Sequence, residues 1–171
     1  MKKLGFTLAE VLIVIMIIGV IAAITLPGLL TNIREAQIGP KLAKARSIFE
    51  QANVTLLDDN SIDLITDGFN NTNNYITELR NFLKGDANGA TYTTDDNMRY
   101  TIAINGAPAN QNIPGYQQTI GTVQIDIDGP LGPNTLGRDR FNFLFRNDGS
   151  LEPNDVDSIY IFTHNLKVRP H

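Results

Sequence analysis

Glu10 is the first residue in this sequence whose surroundings call for a chemical explanation. It is the only charged side chain between Phe6 and Leu30, in the run FTLAEVLIVIMIIGVIAAITLPGLL. A carboxylate inside an apolar membrane helix costs roughly 2.5–3.5 kcal/mol on insertion scales, and less where the side chain reaches the interface. An acidic residue with that insertion cost calls for a partner.

A second group of polar residues, Asp126, Asp128, Asn134 and Asp139, lies in segment 126–139, which also contains three glycines and two prolines. Ca²⁺ takes six to eight oxygen ligands from carboxylates, amides and carbonyls, so these residue types make the segment a candidate calcium site. Their spacing is not that of an EF-hand. A rigid Gly/Pro turn with Asx hydrogen bonds would use the same residues, and this alternative stays open.

Residues typical of catalysis are scarce. His164 and His171 lie in no recognised motif, and the sequence has neither a cysteine nor an HExxH, GxSxG or glycine-rich phosphate-binding motif. We therefore expect a protein that is not an enzyme and that needs no cofactor, apart from the candidate calcium.

The apolar run that contains Glu10 is long enough to cross a membrane. A bilayer core of about 30 Å needs about 20 apolar helical residues, which residues 6–30 supply. Lys2 and Lys3 precede the run. Because positive charge favours the cytoplasmic side, the N-terminus is expected in the cytoplasm and the rest of the chain outside it.

The helix should continue beyond the membrane as far as Leu57, with one apolar stripe. The stripe has the 4, 3, 4, 3, 4 spacing of a helix face and consists of Ile38, Leu42, Ala45, Phe49, Ala52 and Leu56. Pro27 and the Gly39-Pro40 pair predict bends in this helix. The stripe should pack on a sheet formed by the remaining residues.

Residues 58–171 should form that sheet. Residues 75–83 predict a short amphipathic helix closed by Gly85, followed by a loop to Asp96. Four segments rich in β-branched and aromatic residues predict strands at 100–105, 121–126, 141–146 and 158–163, with a turn at 147–150. The expected fold class is α+β, with a long N-terminal helix packed on a small antiparallel sheet.

The charge of the chain is unevenly distributed. Residues 51–171 contain eight basic and fifteen acidic residues, which gives this part a net charge of −7. That charge does not favour nucleic acid as a partner. With no cysteine, the exported part must be held by packing or by an ion rather than by disulfides.

The N-terminus KKLGFTLAEVLIVIMIIGVIAAITLP resembles that of type IV pilin-like proteins, the pilins and the pseudopilins of type II secretion. The resemblance implies that a prepilin peptidase cuts after Gly5 and N-methylates the new first residue, Phe6. It further implies that Glu10 neutralises the N-terminal amine of a neighbouring subunit during filament assembly.

The resemblance also implies a division of the chain and its location. The expected parts are a leader at 1–5, a transmembrane and assembly helix at 6–30, the amphipathic half of the helix at 31–57 and a pilin-like globular domain at 58–171. The protein would cross the bacterial inner membrane once, with its C-terminal domain in the periplasm or outside the cell, and would join a filament of its own or other pilin-like subunits. Major pseudopilins use a calcium loop in their C-terminal region, which adds to the calcium hypothesis.

Three functions follow as hypotheses. The first is a structural subunit of a type IV pilus-like filament or a type II secretion pseudopilus. The second is a membrane-anchored binding domain that does not polymerise. The third is a secreted hydrolase behind a signal peptide, for which small residues such as Ala22-Ala23 could mark the cut.

Overall fold

Helix α1 extends from Leu8 to Asn60 in the computed structural model, which describes residues 5, 7–60, 72–105, 119–132 and 134–169. The helix is continuous through Pro27 and through Gly39-Pro40, and it ends three residues beyond the predicted end at Leu57. The bends predicted at these prolines stay predictions, because helix continuity does not measure the direction of the axis.

The chain divides into two compact units, Met1–Gln37 and Ile38–His171. In the first unit, the large apolar side chains of α1 from Leu8 to Ile33 are exposed on every side of the helix. Because this segment is long and apolar, it qualifies by length and composition as a membrane-spanning helix, and it is the one such helix among the described residues.

In the second unit, the predicted stripe of α1 is buried. Leu42, Ala45, Phe49, Ala52 and Leu56 belong to the core, and Ile38 packs at its edge. Residues three and four apart lie on one face of a helix, so this burial is the expected result of their spacing. The prediction that the second half of the helix packs on the rest of the chain is confirmed.

The sheet has six antiparallel strands in the sequential order β1 to β6. Among the described residues, the strands of this unit and the α-helices that follow α1 are α2 (Thr72–Leu79), β1 (Gly85–Asn88), β2 (Thr91–Thr94), β3 (Arg99–Ile104), β4 (Thr119–Asp126), β5 (Arg140–Arg146), β6 (Leu151–Pro153) and α3 (Val156–Thr163). The fold class is therefore α+β, as predicted, with a long N-terminal helix followed by an antiparallel sheet.

Aromatic side chains fill the space between α1 and the sheet. Phe49 of α1 stacks on Tyr100 of β3, with ring centroids 5.3 Å apart, and meets the edge of Phe145 of β5 at 5.6 Å. Tyr75 of α2 lies 5.4 Å from Phe145 and is fully buried. Alternate residues of β3 and β5 point into this core, which is the pattern that a strand covered on one face should show.

Three of the four predicted strands are confirmed with small shifts, and the turn at 147–150 joins β5 to β6 as expected. Two predictions about the first part of the sheet were wrong. The loop expected before Asp96 is the hairpin of β1 and β2, with a two-residue turn at Gly89-Ala90. Gly85 begins β1 and does not cap a helix, because α2 ends at Leu79.

The predicted strand at 158–163 is wrong, because these residues form helix α3. The carboxylate of Asp155 accepts hydrogen bonds from the backbone N–H groups of Asp157 and Ser158, and Ser158 Oγ accepts from the N–H of Asp155. This reciprocal cap stabilises a helix start, and Ser158 and Ile161, three residues apart, are buried on one face. The β-branched residues suggested a strand, but the cap and the helical spacing of buried residues decided the outcome.

Candidate functional site

Glu10 takes part in a capping box at the start of α1. Its Oε2 accepts hydrogen bonds from the backbone N–H of Thr7 at 2.8 Å and from Thr7 Oγ1 at 2.9 Å. In return, the N–H of Glu10 donates to Thr7 Oγ1 at 3.3 Å. These bonds satisfy donors that the first turn of a helix leaves without partners. Among the described residues, Thr7 is thus the hydrogen-bonding partner of the Glu10 side chain, and sequence reasoning missed it although Thr-x-x-Glu is the usual signature.

The other two predicted residues of the N-terminal site, Gly5 and Phe6, directly precede Thr7. Gly5 is exposed, and a Cβ built on it would have no heavy atom of the described residues within 4 Å. Phe6 lies outside the described residues. An accessible glycine with open space around it is compatible with a protease cutting after it, and cleavage there would leave Glu10 as the fifth residue of the processed chain.

Asp126, the first predicted calcium ligand, ends strand β4 and is 2% exposed. Its Oδ2 accepts from Arg140 Nε at 3.1 Å, and its Oδ1 accepts from the N–H of Asp128 at 3.3 Å. Burial raises the pKa of this carboxyl, while the hydrogen bond from Arg140 acts in the opposite direction. The Arg140 guanidinium is thus the main group that favours the ionised form of Asp126, and the N–H of Asp128 acts in the same direction.

Asn134 contacts the same arginine, and Asp139 binds the backbone of the segment that carries Asn134. The two carboxylate oxygens of Asp139 accept from the backbone N–H groups of Asn134 and Thr135, each at 2.5 Å. Asn134 Oδ1 accepts from Arg140 Nη2 at 2.6 Å. The loop from 126 to 139 is therefore organised around one guanidinium and a set of backbone amides, and it includes the Asx turn in which Asp126 Oδ1 accepts from the N–H of Asp128.

Asp128, the remaining predicted ligand, points to helix α1. Its Oδ1 lies 2.8 Å from Lys41 Nζ, and the two side chains are 42% and 43% exposed. The backbone carbonyl of Asp128 accepts from Asn97 Nδ2 at 2.9 Å, which ties the loop to the turn between β2 and β3. A neighbouring pair, Lys44 and Asp96 at 3.0 Å, holds that turn to α1 as well.

The two lysines of α1 are residues whose role the sequence did not reveal. Each of them pairs with an acid from a loop of the sheet. Thr94 Oγ1 donates to Asp96 at 2.5 Å, and this hydrogen bond is the main cause that lowers the pKa of Asp96. Sequence offers no direct signal for such pairs, because their partners lie 52 and 87 residues away.

Each of the four predicted ligands thus has at least one side-chain oxygen engaged by a protein group. Among the described residues, no group of three or more Asp, Glu, His or Cys side chains is arranged to hold a metal ion. Calcium binding would require Lys41 to release Asp128 and Arg140 to release Asp126 or Asn134. With this arrangement the four residues do not fit an ion, and calcium binding stays a prediction that requires rearrangement of the loop.

Comparison with known families identifies the N-terminus. Residues 1–26 match the model of the prokaryotic N-terminal methylation motif, the N-terminus of type IV pilins and pseudopilins. Comparison with curated proteins and with solved structures gave no significant match. The chain is therefore pilin-like in its N-terminal motif and in its architecture of a long helix followed by an antiparallel sheet.

This motif carries three general consequences. It implies processing by a prepilin peptidase, and with the apolar helix that follows it indicates anchoring in the inner membrane before assembly. Pilin-like proteins are usually not enzymes. The match ends at residue 26, so it bears on the N-terminal helix and leaves the role of the sheet unassigned.

Proposed function

We propose that the chain is a structural subunit of a type IV pilus-like filament or of a type II secretion pseudopilus. The observation that carries this proposal is the methylation motif placed on an apolar helix whose side chains, from Leu8 to Ile33, are exposed in the single chain. A bilayer would cover this surface before assembly, and the helices of neighbouring subunits would cover it afterwards. The exposed helix surface would thus be in an apolar environment both before and after filament formation.

The proposed processing removes residues 1–5. A prepilin peptidase and methyltransferase would cut after Gly5 and methylate the amine of Phe6, while the C-terminal domain lies in the periplasm or outside the cell. Glu10 would then pair with the amine of a neighbouring subunit's Phe6, because an acid among apolar helices is best stabilised by a cation.

The mass of the N-terminus separates this function from its alternatives. Loss of residues 1–5 with one added methyl group supports a filament subunit. An intact N-terminus supports a membrane-anchored binding domain that does not polymerise, and loss beyond Ala23 supports a secreted hydrolase. We expect intact-mass spectrometry to show cleavage after Gly5 and to show no cleavage in Gly5→Leu, because a bulky side chain at the cut hinders the peptidase.

The capping box suggests a sharper test of Glu10. Glutamine can accept the hydrogen bond from the N–H of Thr7, so Glu10→Gln keeps the cap and removes the charge, whereas Glu10→Ala removes both. If Glu10 pairs with a neighbouring amine, both variants insert into the membrane and both fail to enter filaments. If capping is its whole contribution, Glu10→Gln assembles normally and the pairing role is excluded.

Deletion of the gene distinguishes the two kinds of filament. Loss of surface fibres with an unchanged set of secreted proteins supports a pilus subunit, and loss of secreted proteins supports a pseudopilus. Restoring the wild-type gene serves as the control, and restoring Glu10→Ala should give the phenotype of the deletion.

A further inference from the structure

The Gly39-Pro40 pair is helical although its sequence disfavours a helix. Glycine and proline are the two least favourable residues in a helix interior, and proline also removes a backbone donor. The pair lies at the start of the second compact unit, which begins at Ile38. Contacts from elsewhere in that unit must therefore contribute to keeping α1 helical at this point.

The segment after α3 supplies such a contact. Asn165 and Leu166 both adopt left-handed backbone conformations, with φ of 53° and 61°, which are uncommon for residues other than glycine. The turn is held by hydrogen bonds from Leu166 N–H to Ile161 O at 2.8 Å and from Lys167 N–H to His164 O at 3.2 Å. The side chain of Leu166 packs against the core. Two consecutive strained residues persist only where the surroundings impose them.

Gly39 and Leu166 meet through their backbones. A Cβ added to Gly39 would lie 1.8 Å from the carbonyl oxygen of Leu166 and 2.6 Å from its carbonyl carbon. Backbone atoms cannot move aside as a flexible side chain can, so only glycine fits at position 39 while Leu166 is in place. Gly19 and Gly28 of the same helix have no heavy atom within 4 Å of an added Cβ. Close contact is thus specific to Gly39 among these three glycines.

We propose that residues 164–169, here called the C-terminal strap, hold α1 helical across Gly39-Pro40, and that release of the strap turns this point into a hinge. The strap contacts the helix at Gly39, one residue after the start of the second unit at Ile38. Sequence alone assigns Gly39 to a bend, whereas the structure assigns it to a docking contact. This proposal does not depend on filament formation, since it concerns contacts within one chain.

The two interpretations of Gly39 predict opposite effects of Gly39→Ala. If glycine only weakens the helix, alanine should strengthen it and slow amide hydrogen exchange at residues 36–44 by about fivefold, the ratio that corresponds to the helix preference of alanine over glycine. If Gly39 receives the strap, alanine displaces Leu166 and exchange in the same segment should accelerate by about tenfold or more. The sign of the change therefore decides between them.

The experiment uses the full chain in detergent micelles and compares wild type, Gly39→Ala and the matched control Gly28→Ala. Each is also made in a chain that ends at Asn165. We expect Gly39→Ala to accelerate exchange at residues 36–44 in the full chain and to slow it in the shortened chain, because the clash is removed with the strap. Gly28→Ala should leave exchange at residues 36–44 unchanged in both.

Strand β4 reports global stability in the same experiment. Slower or unchanged exchange at residues 36–44 in full-length Gly39→Ala would overturn the proposal, and so would equal acceleration in the full and shortened chains. If Gly39→Ala also accelerates amide exchange in β4, the wild-type chain that ends at Asn165 provides the test. The proposal requires that its exchange at residues 36–44 be faster than in the full chain while its exchange in β4 is unchanged. Unchanged exchange at residues 36–44 in that chain would reject the proposal.

Discussion

Helix α1 carries apolar side chains in both of its halves, but their surroundings differ completely. Met16, in the first compact unit, is 70% exposed, whereas Phe49, in the second, is 0% exposed. The apolar residues of the first half cover every side of the helix, and those of the second half form one stripe. An apolar helix surface is buried by its own chain only where strands are available to cover it. The uncovered half is the part that qualifies by length and composition as a membrane-spanning helix.

Replacing one large apolar side chain by alanine in each half of the helix should show this difference most clearly. We expect Phe49→Ala to lower the free energy of unfolding of the second unit by about 3–5 kcal/mol, because it leaves a cavity among Tyr75, Tyr100 and Phe145. Ile17→Ala, in the first half, should change it by less than about 0.5 kcal/mol. Denaturant unfolding in detergent, followed by near-UV circular dichroism, measures both.

Val54→Ala provides a control within the second half, because Val54 is 59% exposed although it lies on the same helix. Its effect should be close to that of Ile17→Ala. A loss for Val54→Ala comparable with that for Phe49→Ala would mean that burial in the stripe is not what stabilises this half.

A second test asks whether calcium binds the 126–139 loop and thereby stabilises the second unit. If the ion binds only the folded loop, a hundredfold excess over its dissociation constant raises the free energy of unfolding by about 2.7 kcal/mol. Lys41 competes for Asp128, so Lys41→Met should enlarge the rise and Asp128→Ala should remove it. Thermal melts with calcium, magnesium and chelator provide the measurement. No rise in either wild type or Lys41→Met would leave the loop as a turn closed by Arg140 and backbone amides.

Loss of the buried hydrogen bond between Tyr75 and Asn53 should lower the free energy of unfolding by less than Phe49→Ala does. Tyr75 OH donates to Asn53 Oδ1, and both side chains are fully buried. Tyr75→Phe leaves the Asn53 oxygen without this donor and should cost about 1–3 kcal/mol. Tyr160→Phe, at a partly exposed position of α3, is the matched control and should be nearly neutral. Equal stability of the two variants in denaturant would show that the buried pair contributes little.

Stability should also fall at alkaline pH. Burial raises the pKa of Tyr75 and of Tyr100, so the folded state favours the neutral phenols while the unfolded state loses its protons near pH 10. The stability contributed by these groups is therefore fully present below about pH 10 and is lost as the pH rises above it.

Unfolding free energies measured from pH 8 to pH 11 should show this decline, and Tyr75→Phe should make it less steep. An identical slope for wild type and Tyr75→Phe would show that the phenol of Tyr75 is not responsible. Tyr160→Phe again serves as the control, since the Tyr160 side chain is only partly buried.

Much of the fold could be predicted because its signals are local. The stripe of α1 and strands β3, β4 and β5 follow from spacing and from side-chain type within short windows, and these predictions are confirmed. The elements that were predicted wrongly also have local sequence signals, but other features of the same segments outweighed these signals in the prediction. Asp155-x-x-Ser158 marks the start of α3, and the Asn88-Gly89 pair lies at the turn of the β1–β2 hairpin, but β-branched residues and polar composition suggested the opposite in each case.

The sequence by itself determined the N-terminal motif, the apolar run after it and the stripe that faces the sheet, because each depends on residues close together along the chain. Only the tertiary structure decided that Lys41 and Arg140 hold the acidic loop and that Leu166 packs on Gly39. These contacts join residues that are up to 127 positions apart, as Gly39 and Leu166 are. No local pattern specifies such partners, because they become neighbours only when the strands pair in register and the core closes.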